Sequence, residues 1–244
     1  CTEWGNPIAE TYLEMLRDIS GNHVSNGNRV QNQPTTAFNV NDTVPSGYGF
    51  GGVAGLTRES SWTDPWVDWC AKCSAIIIST GSNSFDSDDL SSAADIVGLS
   101  SGAAAVKAKT DAVGEKEYGT FAGAYFMALK ESDYKPFTTT DRPASRNCES
   151  KTVNKLSDVL GICPELPALE GSYNIAGLAY HAHTTDLRTD LEGDQKLNTY
   201  AVDLAESMPV FKVPVNGKEV TFSPACEASP GTEFQSCTLT NAII

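Results

Sequence analysis

No run of this chain is apolar for long enough to cross a bilayer, so a membrane-spanning helix drops out of the reading. Positive charge is scarce as well. Seventeen lysines and arginines face 31 aspartates and glutamates, giving a formal net charge of −14 with no local basic patch to offset it. Nucleic acid phosphates and anionic lipid would be repelled, which excludes both as partners. The chain has no Gly-x-Ser-x-Gly elbow and no phosphate-binding loop. Gly47-Tyr48-Gly49-Phe50-Gly51-Gly52 lacks the strand before and the helix after that a nucleotide fingerprint requires. Histidine is rare: His23 lies in a polar stretch, and His181 and His183 diverge on a helix, so all three read as surface residues. What remains is an acidic, exported protein, long enough at 244 residues to bury one sizeable core.

Seven cysteines are present, none beside the histidines that a zinc site recruits, and disulfides are the preferred reading. Cys148 with Cys163 and Cys226 with Cys237 are close pairs in Gly-, Ser- and Pro-rich stretches, each closing a loop worth about 3 kcal/mol. Cys70 or Cys73 is expected to bridge to Cys1 or elsewhere, and the odd count leaves one thiol buried or paired outside the chain. The chain opens at Cys1 without an initiator Met or signal peptide, which reads as processed or incomplete.

Asn6 before Pro7 predicts a helix N-cap and first helical position, with Glu10 in the first turns and Ile8, Tyr12, Leu16 and Ile19 along one apolar face. Residues 21–62 are rich in Asn, Gly, Ser, Thr and Pro and show no period, which reads as one long loop, either a functional excursion or a mobile segment. Residues 75–78 form a β-branched run expected to be a strand buried on both faces, as in a parallel α/β sheet. Residues 85–167 read as a loop-rich insertion with helices at 103–109 and 121–130, the second with Phe121, Tyr125 and Leu129 on one face. Ile175, Leu178, Ala179 and Ala182 mark a further helix. Residues 197–204 follow as a strand with Tyr200, Val202 and Leu204 on one side. Alternation around Asn216-Gly217 predicts a hairpin over 209–222 that joins further sheet. The division is an α/β region at 1–205 and a hairpin extension, or the start of a second β-rich module, at 206–244.

Trp4-Gly5-Asn6-Pro7-Ile8-Ala9-Glu10, then Trp62-Thr63-Asp64-Pro65-Trp66 leading to Cys70, then Ser84-Phe85-Asp86-Ser87-Asp88, occur in that order. Gly161-Ile162-Cys163-Pro164, Glu170-Gly171-Ser172-Tyr173, Thr185-Asp186-Leu187-Arg188 and Asn198-Thr199-Tyr200-Ala201-Val202 follow. This series resembles the PilC/PilY family of type IV pilus tip-associated adhesins over most of the chain, residues 90–145 being the least familiar. The resemblance implies a von Willebrand factor A-like doubly wound α/β sheet, incomplete at its N-terminal edge and lacking the family's C-terminal propeller. It places Asn6 at the second metal-site loop and Thr80 at the end of the strand that carries the third. The first loop, Asp-x-Ser-x-Ser, and a carboxylate at the later strand end are absent. Asn6 replaces the usual Thr, and Thr80 stands where Asp is expected. Neutral oxygens compensate poorly for dehydrating a hard divalent ion, so no cofactor is expected and the preferred roles are a helix cap and a turn hydroxyl, the alternative being a divalent cation at a degenerate site of Asn6 and Thr80. Asp86, Asp88 and Asp89 lack EF-hand spacing and read as a solvated acidic turn.

The implied protein is a non-enzymatic pilus-associated adhesin, extracellular or at the outer cell surface, contacting minor pilins or the pilus tip and a host or abiotic surface. Residues 21–62 and the insertion after Asp88 are the candidate contact segments. Tyr48, Phe50, Trp62 and Trp66 are candidate anchors, or are equally tucked against the sheet. The alternative is a secreted thiol-disulfide oxidoreductase using Trp69-Cys70-Ala71-Lys72-Cys73. That chemistry needs the first Cys at a helix N-terminus, whereas this pair leads into a strand. Mass spectrometry without reduction separates the two: the adhesin shows stable, distinct bridges, and the oxidoreductase shows a Cys70 to Cys73 bridge that small thiols reduce readily.

Overall fold

The computed structural model describes residues 6–21, 24–25, 28–30, 61–62, 64–66, 68–79, 83–87, 90–134, 147–163, 169–203 and 211–222. Helix α1 runs Ile8–Ile19 and buries Ala9, Tyr12, Leu13 and Leu16, with Met15 and Ile19 partly covered. It starts one residue later than Asn6-Pro7 predicts. Pro7 holds the capping position without a side-chain cap, because the Asn6 side chain donates to the Ser79 hydroxyl at 2.9 Å instead. The helix ends at Ser20, whose hydroxyl donates to the Arg17 carbonyl, and Gly21 takes the left-handed conformation (φ +71) that closes a helix without Cβ strain.

Three short strands, β1 (Val24–Ser25), β2 (Asn28–Val30) and β3 (Ser61–Trp62), pair antiparallel in that order. The segment that lacks any period in sequence is therefore zipped at its base. Strand β4 (Cys73–Ser79) carries the β-branched run. Helix α2 (Ala103–Tyr118) extends well beyond the 103–109 that composition suggests.

Residues 121–130 hold two strands and no helix. Strand β5 (Gly123–Met127) and β6 (Leu129–Lys130) pair antiparallel with β7 (Glu149–Val153) and β8 (Val159–Leu160), respectively. Alternation decides the outcome over helix propensity: Met127 is buried and Tyr125 partly so, while Phe126 between them is exposed. Tyr125 stacks on Phe121 at 4.6 Å between centroids, and both join Met127, Val153, Leu156 and Val159 in a small separate core. Cys148 and Cys163 are disulfide-bonded with a Cα separation of 5.8 Å, as their sequence proximity leads one to expect.

Helix α3 (Asn174–Thr184) returns the chain to strand β9 (Leu197–Asp203), which pairs parallel with β4 from Cys73 opposite Leu197 to Ser79 opposite Asp203. Cys73, Ala75, Ile77 and Leu197 face the main core of α1, α2, α3 and the 3-10 turn at Ser91–Asp95. The expectation that 75–78 is buried on both faces is corrected. Ile76 and Ile78 are 68% and 67% exposed, because the helices packed here lie on the opposite face. Among the described residues parallel pairing is confined to β4 and β9. Strands β10 (Phe211–Val215) and β11 (Lys218–Phe222) form the expected hairpin, with Asn216 and Gly217 both at positive φ as a type I′ turn demands.

The α2–α3 crossing is set by one small residue. A Cβ on Gly177 would sit 2.5 Å from the Thr110 backbone nitrogen and 2.8 Å from the Val106 carbonyl oxygen, so the helices pack backbone to backbone. Gly177→Ala would gain up to about 1 kcal/mol in helix propensity but must push backbone aside. We expect a net loss of roughly 2 kcal/mol, read as a lower urea midpoint. A variant as stable as the parent would show that this contact does not set the crossing.

Candidate functional site

One cluster of polar groups gathers at the carboxyl end of β4. The Asn6 backbone N–H donates to the Ser84 hydroxyl at 2.7 Å, and the Ser84 N–H donates back to the Asn6 carbonyl at 3.0 Å. With the Asn6 to Ser79 bond, three hydrogen bonds tie the start of α1 to the strand end and the loop beyond it. Phe85 N–H then donates to the Leu169 carbonyl at 2.8 Å, joining that loop to the turn ahead of α3. Phe85 (φ +48) and Glu170 (φ +54) both take left-handed conformations, and such strain persists only where surrounding bonds over-determine it.

Asp86 lies at the centre and is fully buried. Its Oδ2 accepts from Asn83 Nδ2, and its Oδ1 accepts from the Ser172 N–H at 2.8 Å. Asn83 Nδ2 also donates to the Ser172 carbonyl. The Ser172 hydroxyl accepts from the Asn174 N–H and Nδ2, so the same turn starts α3. A Cβ on Gly171 would collide with the Asn83 carbonyl oxygen, which makes glycine obligatory there. Burial pushes the Asp86 carboxyl up to about 6, against the opposing pull of its bonds from Asn83 and Ser172. The solvated acidic turn expected from sequence is thus corrected at Asp86; Asp88 and Asp89 lie outside the described residues.

A second latch sits at the other end of the layer. Arg188 is nearly fully buried and grips Asp64 with two bonds of 2.9 Å, Asp190 closing the cluster at 2.8 Å. These bonds hold its guanidinium well above the ordinary arginine value, the Asp190 hydrogen bond first among them. Trp66 is buried beside this latch and donates its indole N–H to the Ile19 carbonyl at 3.0 Å. The Gln195 N–H donates to Asp186 and its side chain to the Trp69 carbonyl, fixing the turn that leads into β4.

The remaining sequence candidates that are described form no common site. Thr80, Tyr48, Phe50, Cys226, Cys237, Cys1 and His23 lie outside the described residues, and for Trp62 only its place in β3 is described. Cys70 and Cys73 are free thiols, Cys70 exposed on a turn and Cys73 opening β4. Burial, and then Asp64, push the Cys73 thiol up, the opposite of what a reactive thiolate needs. His181 is fully buried, not a surface residue: its Nε2 bonds the Val97 carbonyl at 2.9 Å and burial lowers its basicity. His183 is exposed beside Asn198. Among the described residues no three His, Cys, Asp or Glu side chains gather as metal ligands, and no helix is long and apolar enough to cross a membrane. The Asn6 side-chain amide donates to the Ser79 hydroxyl.

Sequence reasoning passes over Asn83, Ser172 and Arg188 as functional parts. Ser172 and Arg188 lie in motifs already quoted, Glu170-Gly171-Ser172-Tyr173 and Thr185-Asp186-Leu187-Arg188, and Asn83 directly precedes Ser84-Phe85-Asp86; these segments form the two latches. What they define is a disulfide-bearing module with mixed helices and small sheets, whose loops are held at fixed points. The family model described as PilY1 homolog, second domain, matches residues 1–182, and the chain belongs to that family. A type IV pilus biogenesis factor PilY1 homolog of Xylella fastidiosa (strain Temecula1 / ATCC 700964) is 25% identical over 248 residues, covering 95% of this chain and 15% of the relative. A second relative of the same description and organism is 55% identical over 42 residues, 17% of this chain and 3% of that protein. The chain therefore spans a small part of the length of the curated relatives it matches. No solved structure matches it.

The buried carboxyl gives a signed pH dependence. Its folded value of about 6 lies above the ordinary 3.8, so the folded state holds the proton more tightly than the unfolded one. The stability this adds is fully present below about 3.8 and is lost as pH rises through about 6. The gap corresponds to at most about 3 kcal/mol. Between pH 4 and 7 the parent should lose stability relative to Asp86→Asn, measured by urea unfolding at each pH. Parallel curves for the two proteins would refute it.

Proposed function

We propose that this chain is a non-enzymatic part of a type IV pilus-associated adhesin, acting in pilus assembly and surface attachment through displayed loops. The match of residues 1–182 to the PilY1 second-domain family carries the reading, together with a relative named as a pilus biogenesis factor. The scaffold we infer is a von Willebrand factor A-like α/β layer. Parallel pairing of β4 with β9 supports it, as does the packing of α1 and α3 against one face.

The latches support display. Both ends of the 21–62 segment come back to one place: Gly21 lies against the Arg188 guanidinium, Asp64 is gripped by it, and Trp66 is bonded to Ile19. A long segment whose two feet are clamped to a rigid layer is a common geometry for recognition. Trp66 is then a foot of the loop, and surface contact falls to Tyr48 and Phe50 further along it. Minor pilins or the pilus tip are the partners on one side and a host or abiotic surface on the other, which places the protein outside the cell. No cofactor takes part. The thiol-oxidoreductase reading gains no support from a Cys73 whose thiol is pushed up and which opens a strand.

Two chromosomal alleles test this. Loss of the whole gene should reduce surface pili and attachment together. Replacing residues 31–60 with a short Gly-Ser linker should keep the pili while lowering attachment about tenfold, the equivalent of roughly 1.4 kcal/mol of binding free energy. Normal piliation without the gene would refute the assembly role, and normal attachment with the linker would refute loop display.

A further inference from the structure

We propose that the Cys148–Cys163 disulfide governs the Asp86 latch, so that reducing this one bond releases the loop after β4 from the turn ahead of α3. A third segment backs the two that form the latch. The missing side chain of Gly171 leaves a space shared by two neighbours: an added Cβ would lie 2.2 Å from the Asn83 carbonyl oxygen and 3.1 Å from Ile162 Cδ1. Asn83 is the side chain that donates to Asp86, and Ile162 stands next to Cys163. The Gly161 N–H donates to the Gly171 carbonyl at 2.9 Å. Residues 161 and 162 therefore support the turn whose Ser172 N–H reaches Asp86.

What holds that support in place is chiefly covalent. Strand β8 is two residues long and pairs with β6 only at Leu129 opposite Leu160 and Lys130 opposite Val159. The Ala128 N–H adds a long bond of 3.4 Å to the Gly161 carbonyl. So short a ladder fixes little by itself. The disulfide ties Cys163 to Cys148 at the start of β7, all five residues of which pair with β5. Lys151 strengthens that end by donating its Nζ to the Ala128 and Asn147 carbonyls. Closing the loop between the two cysteines restricts where residues 161 and 162 can go.

Neither cysteine is fully buried, so a dithiol can reach the bond. The S–S bond breaks, its two sulfurs take up two electrons and two protons, and the dithiol closes to a disulfide. The Gly161 to Gly171 bond must then hold an open segment, and Asn83 loses the neighbour that packs it beside Gly171. The Arg188 latch is built from other segments, with Asp64 and Asp190 as its partners. This inference rests on the contacts around Gly171 alone, so it stands or falls independently of the adhesin reading.

Hydrogen exchange read at single amides by mass spectrometry of the full-length gene product tests it with an internal control. In dithiothreitol the Phe85 and Ser172 amides, bonded to Leu169 and Asp86, should exchange about tenfold faster, while those of Trp66 and Gln195, bonded to Asp64 and Asp186, should keep their rates. Because the reagent opens any other disulfide as well, Cys148→Ala with Cys163→Ala should reproduce the pattern without it. Asp86→Ala should speed Ser172 about tenfold where the bond is intact and add little where it is absent. Unchanged exchange at Phe85 and Ser172 would overturn the proposal. So would equal acceleration at all four amides, which marks the bond as a general stabiliser, or an Asp86→Ala effect of the same size in both backgrounds. The dithiothreitol measurement starts from folded parent and decides the matter if the double variant does not fold.

Discussion

A buried carboxylate that must find donors is the constraint around which this domain is arranged. Asp86 is shut away from water, and its two oxygens are satisfied only if Asn83 and the Ser172 N–H come to it, although Ser172 lies 86 residues further along the chain. Leaving such a group unpaired costs several kcal/mol, so the loop after β4 and the turn before α3 are tied to one geometry. The strained backbone at Phe85 and Glu170, and the missing side chain at Gly171, are the local concessions that let the two segments approach. Once they do, Ser172 starts α3, α3 packs on α2 through Gly177, and β9 follows into register with β4.

Arg188 does the same work elsewhere with the charges reversed. Its guanidinium is buried while Asp64 and Asp190 remain partly exposed, so the pair keeps some hydration and escapes most of the desolvation penalty of a dry ion pair. Bidentate geometry gives direction as well as attraction. The result is a domain in which the motifs that mark its family serve mainly as fasteners.

Local chemistry made several elements legible in advance. Asn216-Gly217 can hardly be anything but a tight hairpin turn, the apolar period of residues 8–19 and the spacing of Ile175, Leu178, Ala179 and Ala182 read as helix, and Cys148 and Cys163 are near enough to bridge. Residues 121–130 misled because alanine, methionine, leucine and lysine favour helix, while the pairing partner that makes them strand lies more than twenty residues away. His181 and Asp86 misled for the opposite reason: polar side chains suggest water, and only the partners Val97, Asn83 and Ser172 make their burial tolerable.

The sequence by itself determined turn chemistry, helical faces, the acidic surface and the family, because each is written in residues near one another or in total composition. Tertiary structure alone decided which face of β4 is covered, where Trp66 points and how the quoted motifs meet. Those outcomes depend on pairings between segments as far apart as Asp64 and Arg188, and no local period records which distant partner will satisfy a buried charge.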